Sequence, residues 1–241
     1  MRLWHVLYYC YYSNTFLEKV WLFSVTPFGK VHLLGTLSGP SFAKELKAGL
    51  PTNVVVASDK HKLCKSIRDN FHQKTFRVYE SNDVIGVEVA GALKNVVAMV
   101  AGAVDGLEMG MNGRAAVVTR GFGEIAKIGV KMGAKPVTFL GLSGLGDLML
   151  TCTGSLSRNR TFGYRLAKGE KPKDIMESMG QVVEGVFTVQ SAHKLAEKLN
   201  VEAPIIKTAY EVIQGSLSIE NAIAVLMSRE SKFEFDWSLA Q

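Results

Sequence analysis

The sequence has few cysteines and no pattern among them. Cys10, Cys64 and Cys152 are scattered along 241 residues, with no CxxC and no histidine at metal-ligand spacing. This excludes a zinc or iron–sulfur signature and fits structural thiols in a reducing compartment, so no metal site is expected. No run of eighteen uninterrupted apolar residues occurs, which argues against a membrane-spanning helix. Clustered basic runs with interleaved aromatics are also missing, and with them the usual footprint of a nucleic-acid binder. A formal charge of +6 is compatible with an anionic ligand, a nucleic acid or an acidic membrane surface and selects none of them. There is no internal repeat and no low-complexity segment.

With 47% hydrophobic and 21% charged residues, the composition is globular, and the length suffices for one large domain or two small ones. Residues 1–29 differ in texture from the other residues. Up to Phe28 they hold four of the seven tyrosines and two of the three tryptophans. Arg2 is the only candidate for a charged leader region, and no small-residue cleavage site accompanies it, so a signal peptide is not expected. This segment reads as foreign to the remainder of the chain.

From Lys30 the pattern is regular. KVHLLGTLSG and TNVVVAS read as strands, FAKELKAGL and DKHKLCKSIRDNFHQ as helices, and TFRVYES as a third strand. After Ser81 every periodic segment is helical. The chain thus divides into four regions: the N-terminal segment 1–29, an α/β unit 30–82, a helical unit 83–232 and a tail 233–241.

Four segments carry candidate chemistry. In VEVAGALKNVVAMVAG, residues 87–102, Lys94 and Asn95 stand inside an apolar helix. Lys94 either snorkels to a wet face or sits partly desolvated among small residues, where it suits proton exchange with a substrate oxygen. Glu88 lies seven residues before Asn95, on the same helical face. In GLSGLGDLMLTCTGSLSRNRTFG, residues 141–163, glycines precede Asp147, and Thr151 comes one turn later. Ser157 there occupies an N-cap position before Arg158 and Asn159. Such a helix start either binds an anion, best a phosphate, or is an ordinary turn with solvated arginines. GQVVEGVFT, residues 180–188, contributes one charge, Glu184, and alone reads equally as a surface loop. LSGPSFAKE, residues 37–45, ends a strand in a turn with two hydroxyls, where open α/β sheets bind ligands.

These segments, in this order, closely resemble the motifs of NAD(P)-dependent glycerol-3-phosphate dehydrogenases of the bacterial and plastid type. The likeness runs over about residues 36–230. It implies the remnant of a Rossmann-type α/β domain leading into an all-α, 6-phosphogluconate-dehydrogenase-like C-terminal domain. It implies reversible hydride transfer between sn-glycerol 3-phosphate and dihydroxyacetone phosphate, with NAD or NADP as cofactor. By the same resemblance Lys94 is the catalytic acid/base. Gly39, Ser41, Asn95, Asp147, Thr151, Ser157, Arg158 and Asn159 join it as substrate contacts, and Ala43, Arg158 and Glu184 contact the cofactor. A related β-hydroxyacid or 6-phosphogluconate dehydrogenase is the enzymatic alternative, which the S-R-N-R segment disfavours. A homodimer is compatible with so apolar a helical half, and cytoplasm is the expected compartment, with an organelle as the alternative.

One family feature is missing. No G-x-G-x-x-G turn for a dinucleotide pyrophosphate occurs in the first 80 residues. The chain is therefore expected to lack most of its cofactor-binding half, to bind NAD(P)H poorly, and to have little turnover alone. An inactive binding or interaction module is the alternative from a different functional class.

Overall fold

The computed structural model describes residues 22–25, 33–230 and 234. The α/β part runs β1 (Leu22–Val25), β2 (Leu33–Ser38), α1 (Ala43–Lys47), β3 (Thr52–Ala57), α2 (His61–Phe71) and β4 (Phe76–Ser81). Its sheet has the order β1-β2-β3-β4. Strands β3 and β4 are parallel, from Thr52 opposite Phe76 to Ala57 opposite Ser81, whereas β2 runs antiparallel to β3. The parallel pair requires a crossover, and α2 supplies it. Leu63, Cys64 and Ile67 of α2 bury one face against Val54, Val56 and Val78 of the strands. The β-branched run of β3 suits this pleated, half-buried setting.

Strand β1 comes from the aromatic N-terminal segment and pairs antiparallel with β2, Leu22 opposite Thr36 through Val25 opposite Leu33. Four residues that read as foreign thus cover the outer edge of β2, which would otherwise expose unpaired backbone groups. The rest of the segment, including Cys10, lies outside the described residues. Cys64 and Cys152 are buried free thiols, and burial raises both, Cys152 to about 12.

Beyond β4 the described chain is helical: α3 (Val84–Gly106), α4 (Gly110–Lys131), α5 (Pro136–Phe139), one π-helical turn (Leu142–Gly146), α6 (Asp147–Thr153), α7 (Arg158–Ala167), α8 (Pro172–Met179), α9 (Glu184–Lys198), α10 (Pro204–Ile213) and α11 (Ile219–Met227). Helix α3 is apolar nearly all round, as a helix must be when neighbours enclose it. By length and composition it is long enough to cross a bilayer, yet most of it is buried within the fold as the central helix. Asp83 fixes where it begins. One carboxylate oxygen accepts the Gly86 N–H at 2.9 Å, and the other accepts the Lys135 N–H at 2.9 Å and the Thr138 hydroxyl at 2.6 Å. A single N-cap therefore also ties α3 to the start of α5.

Helix α7 crosses α3 with backbones in contact. A Cβ on Gly102 would fall 1.9 Å from the Arg160 carbonyl oxygen, and one on Gly163 would fall 1.8 Å from that of Met99. Reciprocal glycines are what permit this approach, and it carries Asn159 of α7 to Asn95 of α3. Around the crossing pack Leu93, Val96, Val97, Leu148, Phe162, Ile175, Val189 and Ile206, all buried.

Helix α10 starts on a buried carboxylate. Glu124 of α4 accepts the N–H groups of Ile205 and Ile206 at 2.8 and 3.0 Å, filling two of the positions a helix start leaves unpaired. Burial nevertheless raises Glu124 from 4.5 to about 7, with the two N–H groups opposing. An acid raised on folding favours the fold fully below its unfolded value and loses that contribution as pH rises through the folded one. Wild-type stability, from denaturant midpoints at fixed ionic strength, should therefore fall from about pH 4.5 to about pH 7 relative to Glu124→Gln, by on the order of 3 kcal/mol. Parallel curves for the two proteins would contradict this.

Candidate active site

Lys94 lies near the middle of α3 and pairs with Asp147, the first residue of α6. The lysine side chain is 19% exposed and the aspartate 5%. Lys94 therefore neither snorkels to open solvent nor is sealed away: its ammonium is held on a buried carboxylate while part of its side chain stays exposed. The π-helical turn, ending at Gly146, delivers Asp147 to this position.

Asp147 is fixed from several sides. The Thr151 hydroxyl donates to the Asp147 carbonyl at 2.5 Å and lies 3.4 Å from carboxylate Oδ1. The backbone N–H of Gly39, just past β2, also donates to the carboxylate. Burial pushes the carboxyl of Asp147 above its ordinary value. The Lys94 charge opposes this first, then the Lys94 hydrogen bond, the Gly39 N–H and Thr151. The ammonium is thus the principal compensation for an expensive buried acid.

The SGPSFA turn brings the sheet to this pair. Gly39 is buried with φ +137°, and a side chain there would meet Val54 Cα at 3.0 Å, so the backbone reaches Asp147 only as glycine. The Ser41 hydroxyl donates to the Gly39 carbonyl at 2.9 Å and braces the turn. Ala43 is exposed at the start of α1 and makes no polar side-chain contact. Gly91, one turn before Lys94, lies against Ser38, where an added Cβ would be 3.0 Å from the hydroxyl oxygen. The small residues of AGALKN thus admit the strand end beside Lys94.

A second cluster adjoins the first. Asn159 and Asn95 are both buried, and the Asn159 amide donates to Asn95 Oδ1 at 2.9 Å. Asn95 Nδ2 donates to Glu184 Oε2 at 2.8 Å, and the Gly185 N–H donates to Asn159 Oδ1 at 2.8 Å. Helices α3, α7 and α9 are thereby joined through the side chains adjacent to Lys94 and Arg158. Arg158 is exposed, donates to Gln181 Oε1 at 3.0 Å, and pairs with no carboxylate among the described residues. Ser157 is buried, and its hydroxyl oxygen accepts the Arg160 N–H at 3.3 Å as the cap of α7. Arg160 itself turns away to Asp105, which Arg114 also engages.

Lys94, Asp147, Thr151 and Gly39 therefore form one group, and Asn95, Asn159 and Glu184 a second. Arg158 is exposed beside the second group, Ser41 and Ser157 shape the turns, and Ala43 lies apart. Sequence reasoning missed Gln181 and the Gly185 N–H; both sit in GQVVEG, whose single charge drew attention only to Glu184. Glu88 is partly buried, pairs with no cation among the described residues, and burial raises its carboxyl. Among the described residues no cluster of histidine, cysteine and acidic side chains has the make-up of a metal site.

The arrangement offers a shielded ammonium for proton exchange with a ligand oxygen, an amide next to it, and a guanidinium with no carboxylate partner among the described residues for an anionic group. Residues 83–224, more than half the chain, match the family described as NAD-dependent glycerol-3-phosphate dehydrogenase C-terminus. Glycerol-3-phosphate dehydrogenase [NAD(P)+] of Anaeromyxobacter dehalogenans is 51% identical over 201 residues, which are 83% of this chain and 60% of the relative. The protein of that name from Syntrophotalea carbinolica is 48% identical over 88% of this chain and 64% of its own length. Among solved structures, glycerol-3-phosphate dehydrogenase of Coxiella burnetii superposes with TM-score 0.79 at 40% identity, covering 81% of this chain and 60% of that one. The Saccharomyces cerevisiae enzyme gives 0.71 at 28% identity over 79% and 58%. The chain belongs to this family, and it spans about 60% of the length of these relatives.

The ion pair makes a measurable claim on stability. Lys94→Met leaves a buried carboxylate without its cation and should cost about 3–5 kcal/mol near neutral pH. That cost should shrink as pH falls and Asp147 becomes neutral. The double substitution Lys94→Met/Asp147→Leu should recover most of the loss in urea unfolding. Additive losses in the double variant would refute the coupling.

Proposed function

We propose, from the chain's place in the glycerol-3-phosphate dehydrogenase family, that it carries the substrate and acid/base half of an NAD(P)-dependent oxidoreductase. The reaction is the reversible two-electron oxidation of the C2 carbinol of sn-glycerol 3-phosphate to the C2 carbonyl of dihydroxyacetone phosphate, the hydride leaving C2 and the proton leaving its hydroxyl. The observation that carries this reading is the Lys94 ammonium, partly exposed and held on buried Asp147, together with an exposed Arg158 that has no carboxylate partner among the described residues.

When C2 is reduced, negative charge develops on its oxygen. Lys94 stabilises that charge and gives its proton; in the oxidation direction it removes the proton from the hydroxyl. Asp147 keeps the ammonium in place, and Gly39 and Thr151 keep Asp147 in place. Arg158 takes the phosphate, which as a fixed handle orients the distal carbon, and Asn95 donates to a substrate oxygen. NAD or NADP supplies or accepts the hydride when bound. Arg158 and Glu184, an exposed cation and an exposed acceptor, are the residues that fit such a group, with Ala43 at the start of α1. A second reading keeps the same site and has the chain bind the phosphorylated triol without turning it over.

Calorimetric titration with sn-glycerol 3-phosphate tests the shared premise, and an NADH-linked assay with dihydroxyacetone phosphate separates the two readings. Saturable binding is expected, absent with glycerol, and weakened about 10- to 100-fold in Arg158→Ala through loss of a charge-assisted contact. Lack of saturable binding, or an Arg158→Ala protein that binds as well as wild type, would overturn the assignment.

A further inference from the structure

The six-residue turn GQVVEG, residues 180–185, holds three side chains of the site at once. Gln181 accepts from Arg158, the Gly185 N–H donates to Asn159, and Glu184 accepts from Asn95. The last two bonds, with the one between the asparagines, make a loop that leaves the start of α9 and returns to the adjacent residue.

The chemistry of its two ends fixes the direction of this loop. A backbone N–H can only donate, so Asn159 must present Oδ1 to Gly185 and its NH2 to Asn95. Asn95 must then present Oδ1 to Asn159, which turns its own NH2 toward Glu184. An ionised carboxylate can only accept, so the orientation set at Gly185 agrees with the one set at Glu184. Neither amide can flip without placing like groups against each other. Gly185 also has no room for a side chain: a Cβ would meet the Asn95 carbonyl at 2.8 Å and both Asn159 Oδ1 and Met99 Sδ at 2.9 Å.

One consequence concerns the amide next to Lys94. Asn95 has two N–H donors on a planar group, and Glu184 takes one. The direction of the second is then fixed within the amide plane. Asn95 is only 5% exposed, so that donor has little access to bulk water to compensate it. Glu184, in contrast, is exposed at the end of the loop, open to replacement without disturbing the core.

We infer that Glu184 is a positioning residue for substrate: its carboxylate orients Asn95 so that the remaining N–H is delivered to an oxygen of the bound phosphorylated triol. The inference rests on the reading above for the identity of the ligand. It goes beyond it in making substrate affinity depend on a residue of the α9 turn through the asparagine pair.

The test compares Glu184→Ala, which removes the acceptor, with Glu184→Gln, which keeps an acceptor oxygen and removes the charge. Calorimetry with sn-glycerol 3-phosphate on the full chain should show about tenfold weaker binding for Glu184→Ala. Glu184→Gln should stay within about threefold of wild type, a rescue that loss of charge alone does not allow. Equal affinity of wild type and Glu184→Ala, or equal losses in both variants, would overturn the inference. Side-chain amide NMR provides a second readout that does not require ligand. The assigned Asn95 NH2 group should be exchange-protected in wild type and Glu184→Gln, and lose that protection in Glu184→Ala. If wild-type protein fails to bind glycerol 3-phosphate, the ligand assignment fails, and unchanged Asn95 signals in Glu184→Ala would then overturn the positioning role itself.

Discussion

The ion pair between Lys94 and Asp147 is the constraint around which the rest of this structure is arranged. A carboxylate only 5% exposed is costly, and every element near it reduces that cost or profits from it. The π-helical turn sets Asp147 at the head of α6, the strand-end turn supplies the Gly39 N–H, and Thr151 closes the remaining side. The lysine is the largest compensating influence, so the acid holds the ammonium as firmly as the ammonium holds the acid. A cation fixed this way needs little reorganisation when an oxygen beside it gains charge, which is the condition for effective electrostatic stabilisation.

The second requirement is that the Arg158 side of the site be kept in register with the Lys94 side. Backbone contact between α3 and α7 at Gly102 and Gly163 does this over the length of the two helices. The asparagine pair does it locally, one residue from Lys94 and one residue from Arg158. The closed loop of hydrogen bonds through Glu184 and Gly185 adds α9 to the same frame. Three helices distant in sequence are therefore locked together about the site, while Arg158 and Glu184 face outward.

Much of this was legible in the residues themselves. Most strands and helices from Leu33 to Met227 obey apolar periodicity and punctuation by glycine, proline and capping residues, but the short α5 and the π-helical turn before α6 carry no such periodicity. Strand β1 was not legible, because four residues of mixed character become a strand only when β2 offers an edge. The partner of Lys94 was not legible from spacing either. Asp147 lies 53 residues away, and composition alone left snorkelling open; only the family resemblance put both residues in one site, and it gave Asp147 as a substrate contact. Gln181 and the Gly185 N–H escaped for a related reason: a backbone donor has no residue-type signature, and the contact spans 26 residues.

The central claim is that a phosphorylated triol binds with its carbinol oxygen at Lys94 and its phosphate at Arg158. The most direct measurement is 15N NMR of the lysine Nζ and arginine Nε groups during titration with sn-glycerol 3-phosphate. The account predicts saturable shifts at Lys94 and Arg158 with one shared affinity, none at the distant Lys207, and no response at Lys94 to glycerol alone. Shifts confined to exposed lysines, or an unperturbed Lys94 at saturation, would contradict it.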